Sequence, residues 1–234
     1  MNAIYNKELK AYFSSPLGYI FIGFFLFASA LTFMVTNIQE STSNLKAFFE
    51  GLNTIQMFLI PILTMRLLSE EKNSKTDQLL LTAPVSITHI VLGKLFAAIS
   101  VYGLSLWLTI IFPFIISIYG EISRGELISQ YVGFLLMSSA FIAIGTYISA
   151  LTENQLISAV ATFGILFVLF IIDRIAINVS NVHLAAFLNH ISISARYGDF
   201  SRGIINTEAV IYYISVVSLF SFLTVHHIDK KRWI

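Results

Sequence analysis

The chain has no cysteine, four prolines and few charges: 12% of its 234 residues are Asp, Glu, Lys or Arg. Without cysteine there is no disulfide, no thiolate nucleophile and no thiolate metal ligand. The charge content is about half the roughly 25% of an average soluble domain. A net charge of +1 gives no support for nucleic-acid binding. Signatures of self-contained chemistry are also missing: no GxxxxGK[ST] phosphate loop, no GxSxG elbow and no HExxH pair. What is abundant is apolar: 56% hydrophobic residues, with 21 Phe and 10 Tyr, and a mean hydropathy of +0.80. These values describe an integral membrane protein.

Six apolar runs are long enough to cross a bilayer, which takes about 20 residues each. They are expected at residues 17–37, 52–68, 90–119, 131–151, 156–172 and 209–225, in an all-α chain forming one domain over residues 1–234. Pro61 should kink the second span, and Pro113 lies near the far end of the third. In the fourth, Ser139-xxx-Ala143 and Gly145-xxx-Ser149 place small residues one turn apart, which permits close helix packing. Residues 3–16 read as an amphipathic interfacial helix: Tyr5, Leu9, Tyr12 and Phe13 form one face, with Lys7, Glu8 and Lys10 on the other. No cleavable signal peptide is expected, because Glu8 and Lys10 precede a full-length span with no clear cleavage site. Residues 173–207 read as one or two short surface helices, partly re-entrant, and Asn206-Thr207-Glu208 as the start of the last span.

The most densely charged passage is Arg66 to Lys94. Glu70, Glu71, Lys72, Lys75 and Asp77 cannot lie in hydrocarbon. Thr76, Leu79, Leu80 and Ala83 recur at helical spacing until Pro84, so a short half-polar helix is expected at the membrane surface. Six spans put both ends of the chain on one side. Nine basic residues (Lys7, Lys10, Arg66, Lys72, Lys75, Lys94, Lys230, Lys231, Arg232) share that side, and five (Lys46, Arg124, Arg174, Arg196, Arg202) share the other. The excess makes the first side cytoplasmic.

Span interiors are nearly free of ionisable residues, so an internal proton or ion relay is not expected. Asp173-Arg174 and His89 read as interfacial groups. His183 and His190, seven apart, lack further assignable ligands for a metal. His226-His227 reads as a solvated end. Movement of cargo by such a chain needs an external energy source.

One motif runs Arg66-x-x-x-Glu70-Glu71-Lys72-x-x-x-Thr76-x-x-Leu79-Leu80-Leu81-Thr82-x-Pro84-Val85-Ser86, followed by Gly93-Lys94 opening a span. It resembles the permease subunits of type-2 ATP-binding-cassette (ABC) exporters, and the resemblance covers the whole chain. Lys7-Glu8-Leu9-x-x-Tyr12-Phe13-x-Ser15-Pro16 resembles that family's interfacial helix. Asp199-Phe200-Ser201-Arg202-Gly203-Ile204-Ile205 resembles its gliding-motility-associated branch. The resemblance implies a bacterial inner-membrane permease with both termini cytoplasmic. Two permease chains, identical or related, would form the pathway. Two copies of a separate cytoplasmic ATPase would bind ATP and Mg; this chain would hold no cofactor. A periplasmic or membrane accessory protein and membrane lipids complete the expected partners. Glu70, Glu71, Lys72, Thr76, Leu79, Leu80 and Pro84 would form the cytoplasmic coupling helix, with Leu79 and Leu80 as apolar anchor and the charges setting register. Inner positions of spans one, two and five are apolar or aromatic and lean towards an amphiphile, a lipid-linked glycan or a hydrophobic peptide as cargo. The rival readings are a structural anchor for a motility or envelope assembly that moves no cargo, and an intramembrane enzyme. The spans offer no acid–base partner at depth for the second.

Overall fold

The structure is a computed structural model that describes residues 1–76, 85–178 and 192–232. Every regular element among them is helical. In chain order these are α1 (Asn2–Ser14), α2 (Pro16–Phe33) with a π-helical turn at Met34–Ile38, α3 (Lys46–Thr64), α4 (Ser69–Asn73) and α5 (Ile87–Leu108). They continue with α6 (Ile111–Tyr119), α7 (Arg124–Leu151), α8 (Gln155–Asn178), α9 (Tyr197–Phe200) and α10 (Thr207–Arg232). Six stretches are long and apolar enough to cross a membrane: Pro16–Ile38, Lys46–Asn73, Ile87–Tyr119, Arg124–Leu151, Gln155–Ile172 and Thr207–Lys230. These are spans one to six.

Local sequence explains where the helices break. Pro113 has no N–H to donate to the carbonyl four residues back, so span three interrupts at Thr109-Ile110, between α5 and α6. Thr109 Oγ1 shares a hydrogen bond with Tyr131 Oη at 3.0 Å and donates to Leu106 O. Pro61 lies within α3, which continues to Thr64 before a turn over residues 65–68. That helix begins at Lys46, six residues before the expected start of the span. Phe48, Phe49 and Leu52 are fully buried there and draw the first turns into the bundle. Span one ends in a π turn that leaves Asn37 buried, its Nδ2 donating to Thr42 O and Asn44 O at 3.0 Å each.

Span four is the central post. Its most apolar window is 78% buried, whereas those of spans five and six are 17% buried. A Cβ added at Gly145 would lie 2.3 Å from Thr64 Oγ1, so the close approach of spans two and four depends on that glycine. Ser149, one turn on, accepts from the N–H groups of Leu68 and Ser69 and donates to Met65 O, each at 3.1 Å. It thereby caps the start of α4 from another helix. The Gly145-xxx-Ser149 pair therefore packs spans two and four within one chain. A buried polar knot lies deeper. Gln56 Oε1 accepts from Tyr102 Oη at 3.0 Å and Ser138 Oγ at 2.7 Å, tying spans two, three and four. Gln56 Nε2 donates to Asn53 Oδ1, and Asn53 Nδ2 to Ser194 Oγ.

At the end away from α1, Phe200 seats in a notch left by Gly133, where a Cβ would lie 2.3 Å from the ring. Gln130 Nε2 donates to Ser201 O, and Gly203 turns the chain with φ +84°. Asn206 caps α10 by accepting from Glu208 N at 2.9 Å. α8 extends to Asn178, through the start of the segment expected to be short surface helices. His183 and His190 lie outside the described residues.

Gly145→Ala is expected to lower stability by about 1–3 kcal/mol, because the added methyl meets Thr64. Gly164→Ala, with nothing within 4 Å of its Cβ position, is expected to be neutral or stabilising. Thermal denaturation of both variants in detergent, followed by loss of the native elution peak, checks the pair. Equal melting temperatures would show that the helices have room to spare.

A charged junction at one end of the bundle

The N-terminal helix lies along span three. Tyr5 Oη shares a hydrogen bond with Ser100 Oγ at 3.0 Å, and Ile4 packs so closely on Gly93 that a Cβ there would sit 2.9 Å from its methyl. Tyr12 is buried and donates to Leu63 O at 2.8 Å, holding α1 to span two. Burial, with the nearby Glu8 charge adding to it, pushes the Tyr12 phenol well above its ordinary range, so it stays a neutral donor. Leu9 and Phe13 pack partly buried against the core. Tyr5, Leu9, Tyr12 and Phe13 thus rest on protein.

Glu8 departs from the amphipathic expectation. It falls four residues before Tyr12 and four after Ile4, on the same stripe. Its side chain is 12% exposed and faces inward. The reason is Lys94, in the second turn of α5, whose side chain is 2% exposed. Its ammonium lies 2.9 Å from Glu8 Oε1 and 2.9 Å from Glu71 Oε1. Lys7, largely exposed, adds a 3.6 Å contact to Glu71. One buried cation therefore joins the N-terminal helix, α4 and span three. A lone ammonium in hydrocarbon would cost several kilocalories, and two carboxylates remove most of that penalty.

The other charges of the expected coupling helix also have partners inside the chain. Glu70 takes a two-point contact from Arg66, with Nε to Oε2 at 2.7 Å and Nη2 to Oε1 at 3.2 Å. Arg66 Nη1 donates to Ser15 Oγ at 3.3 Å, reaching the joint between α1 and span one. Lys72 Nζ donates to Ala150 O near the end of span four. Lys75 adopts a left-handed conformation with φ 55°, and Thr76 folds back on Glu71 O. Leu79, Leu80 and Pro84 lie outside the described residues. A cavity of about 490 Å³ opens between α1 and α4, lined by Lys7, Glu8, Arg66, Glu70, Glu71 and Lys94 among others. No group of three His, Cys, Asp or Glu side chains among the described residues is placed to hold a metal ion.

The sequence grouped Glu70, Glu71, Lys72 and Thr76, and the structure brings Glu70, Glu71 and Thr76 to one rim. It adds Glu8 and Lys94, which hydropathy assigned to solvent and to the bilayer boundary. The signal that could have found them is their imbalance: a lone lysine one turn inside a span calls for a carboxylate.

Lys94→Met strands two carboxylates and is expected to destabilise the protein by about 3–5 kcal/mol. Lys7→Met, at an exposed position, is expected to cost about 0–1 kcal/mol. Thermal unfolding of the two variants side by side reads the difference, and equal losses would mean that Lys94 is not the buried bridge.

The chain matches the family described as ABC-2 family transporter protein over residues 2–226. No curated protein matches the chain. A match over nearly the whole length, on a chain with six membrane-capable helices, shows that this protein belongs to the ABC-2 transporter family as a multi-pass membrane permease subunit.

Proposed function

We propose that the chain is the membrane half of an ATP-driven exporter in the bacterial inner membrane. Two permease chains, identical or related, form the pathway. Two copies of a separate cytoplasmic ATPase, carrying ATP and Mg, drive it. Family membership supports partnership with an ABC ATPase, and the lysine and arginine excess supports a cytoplasmic position for both termini and for residues 66–94.

The observation that carries the reading is the buried Lys94 bridge. A surface loop with no mechanical role does not need a lysine with a 2% exposed side chain to tie it to two other elements. In the proposed mechanism the segment around Leu79, Leu80 and Pro84 seats on the ATPase. Glu70, Glu71, Lys72 and Thr76 anchor that segment to the bundle. Force on α4 then reaches α1 through Glu71, Lys94 and Glu8, and span two through the turn at residues 65–68. Tyr5, Leu9, Tyr12 and Phe13 keep α1 seated so that it moves with the bundle. Among the described residues the buried side chains are apolar apart from neutral amides and hydroxyls such as Gln56 and Ser138 and, at the junction, Lys94. This supports an amphiphilic cargo over a small ion.

The test is co-expression with the ATPase encoded nearest to the chain, purification by a tag on this chain, and ATP hydrolysis in lipid nanodiscs. Co-purification with vanadate-sensitive turnover is expected. Leu80→Asp should insert normally and weaken ATPase binding by about thirtyfold, the effect of losing an interface anchor worth about 2 kcal/mol. Failure of every related ATPase to bind would overturn the exporter reading. Full turnover by the Leu80→Asp complex would overturn the coupling assignment. Stimulation of turnover by candidate amphiphiles separates transport from anchoring.

A further inference from the structure

Hydroxyl side chains along span four mostly bond to their own helix. Ser138, Ser139 and Thr146 each donate to the carbonyl four residues back, at 2.7–2.8 Å. That is an ordinary resting place for a helical hydroxyl. Ser149 departs from it. The residue is fully buried, and its bonds run to one segment 80 to 84 residues earlier. A hydroxyl has one proton to give and two lone pairs with which to accept. Ser149 gives its proton to Met65 O and accepts the N–H groups of Leu68 and Ser69. Its whole capacity is spent on the turn between span two and α4.

That turn depends on the arrangement. Leu68 and Ser69 are buried, so water does not supply an acceptor for their amides. Leu68 precedes α4 without a side-chain cap of its own, and the Ser69 hydroxyl turns back to Met65 O. Removing the Ser149 oxygen would leave two buried N–H groups unsatisfied, which is the expensive case for a hydrogen bond. The contacts on either side keep the same register. Thr64 lies against Gly145, one turn before Ser149, and Lys72 Nζ donates to Ala150 O, one residue after it. Residues 64–72 are thus laid along residues 145–150 as one seam.

We propose that Ser149 is a positioning residue for coupling. It keeps the turn at residues 65–69 in one shape, so that displacement of α4 passes to span two and is not absorbed by bending of the turn. The inference rests on the proposed function, in which force enters at α4. There α4 has two attachments of different kinds. Through Glu71 it holds Lys94, and with it α1 and span three. Through Ser149 it is referred to span four, the most enclosed of the six spans, which serves as the fulcrum. A turn with two unsatisfied amides would open towards other partners and lose the displacement before span two moved.

The test compares Ser149→Ala with Tyr102→Phe, which removes one buried hydrogen bond between spans, to Gln56, and none at residues 65–69. Two readouts are taken: amide hydrogen exchange of the permease in detergent, and vanadate-sensitive ATP turnover of the complex in nanodiscs. Exchange in a peptide covering residues 65–73 is expected to rise on the order of tenfold in Ser149→Ala and to stay unchanged in Tyr102→Phe. Both variants should retain the ATPase and the natural KM for ATP, because neither side chain lies on the surface. The kcat is expected to fall about tenfold in Ser149→Ala and to stay within about twofold in Tyr102→Phe. Unaltered exchange in Ser149→Ala would overturn the inference whatever the ATPase does. So would an unaltered kcat, or an equal loss of kcat in Tyr102→Phe, which would make the effect one of general stability. A natural chain that binds no ATPase would instead remove the exporter reading, and this inference with it. Should Ser149→Ala not elute as the native protein does, Ser149→Cys places a weaker acceptor at the same point. Smaller shifts of both readouts in the same directions are then expected, and the absence of either shift would overturn the inference.

Discussion

A positive charge inside a membrane protein dictates where its neighbours stand. Lys94 lies in the second turn of a membrane-crossing helix with its side chain 2% exposed, and Glu8 and Glu71 each reach its ammonium at 2.9 Å. Neither carboxylate is close in sequence. Glu8 comes from the helix before span one and Glu71 from the helix after span two. The condition that Lys94 not be left alone in an apolar surround therefore fixes three elements against one another. The remaining junction contacts agree with this arrangement. Tyr12 ties α1 to span two, Arg66 ties α4 to the joint at Ser15, and Lys72 ties α4 to the end of span four.

These ties differ in strength, and the difference decides which motions are easy. Exposed pairs such as Lys7–Glu71 contribute about 0–1 kcal/mol and can part and reform. Parting Lys94 from either carboxylate leaves a buried charge short of a partner, at several kilocalories. Displacement of α4 is then cheapest when α1 and the start of span three go with it. The break between α1 and span one lies at Ser15-Pro16, where the backbone is extended. On the proposed reading, force enters at the junction as a unit and leaves through that joint. Partner contacts need not be made by the junction charges themselves, because Glu70, Glu71 and Lys72 already hold positions inside the chain.

The sequence displays some of this and conceals the rest for definable reasons. Six long apolar runs separated by polar turns announce six spans, because hydropathy is a property of each segment alone. Pairing is a property of two segments, and it stays hidden. Glu8 sits among Lys7 and Lys10, and an amphipathic reading sends charge to water. Its buried fate depends on Lys94, 86 residues away. Gly145-xxx-Ser149 is legible as a packing motif, yet nothing in it names span two as the partner. The buried knot at Gln56 escapes notice because an amide carries no charge and a search for ionisable groups passes over it. The break at Thr109-Ile110 is readable from Pro113, provided the missing hydrogen bond is counted four residues upstream. The early start of α3 is obscured because Lys46 and Glu50 outweigh Phe48 and Phe49 in an average, although they point to opposite sides.

The spread of burial suggests how a chain built this way divides its labour. Span four is enclosed by its neighbours and held by the Gly145 contact, the Ser149 cap and the Ser138 bond to Gln56. Those three contacts all tie it to span two, and it also packs against spans three, five and six, so moving it would disrupt four other spans at once. Spans five and six leave most of their surface uncovered, although span six makes the most extensive helix pairing in the structure, along span four. A fixed post beside helices whose outer faces are uncovered is a workable frame for opening and closing a path. On span five the Ser158 and Thr162 hydroxyls are enclosed by the chain itself and have no hydrogen-bond partner among the described residues. An unpaired buried hydroxyl costs far less than an unpaired buried lysine. The chain's strongest electrostatic demand is thus met internally at the junction, and the groups left unpaired on span five are uncharged hydroxyls.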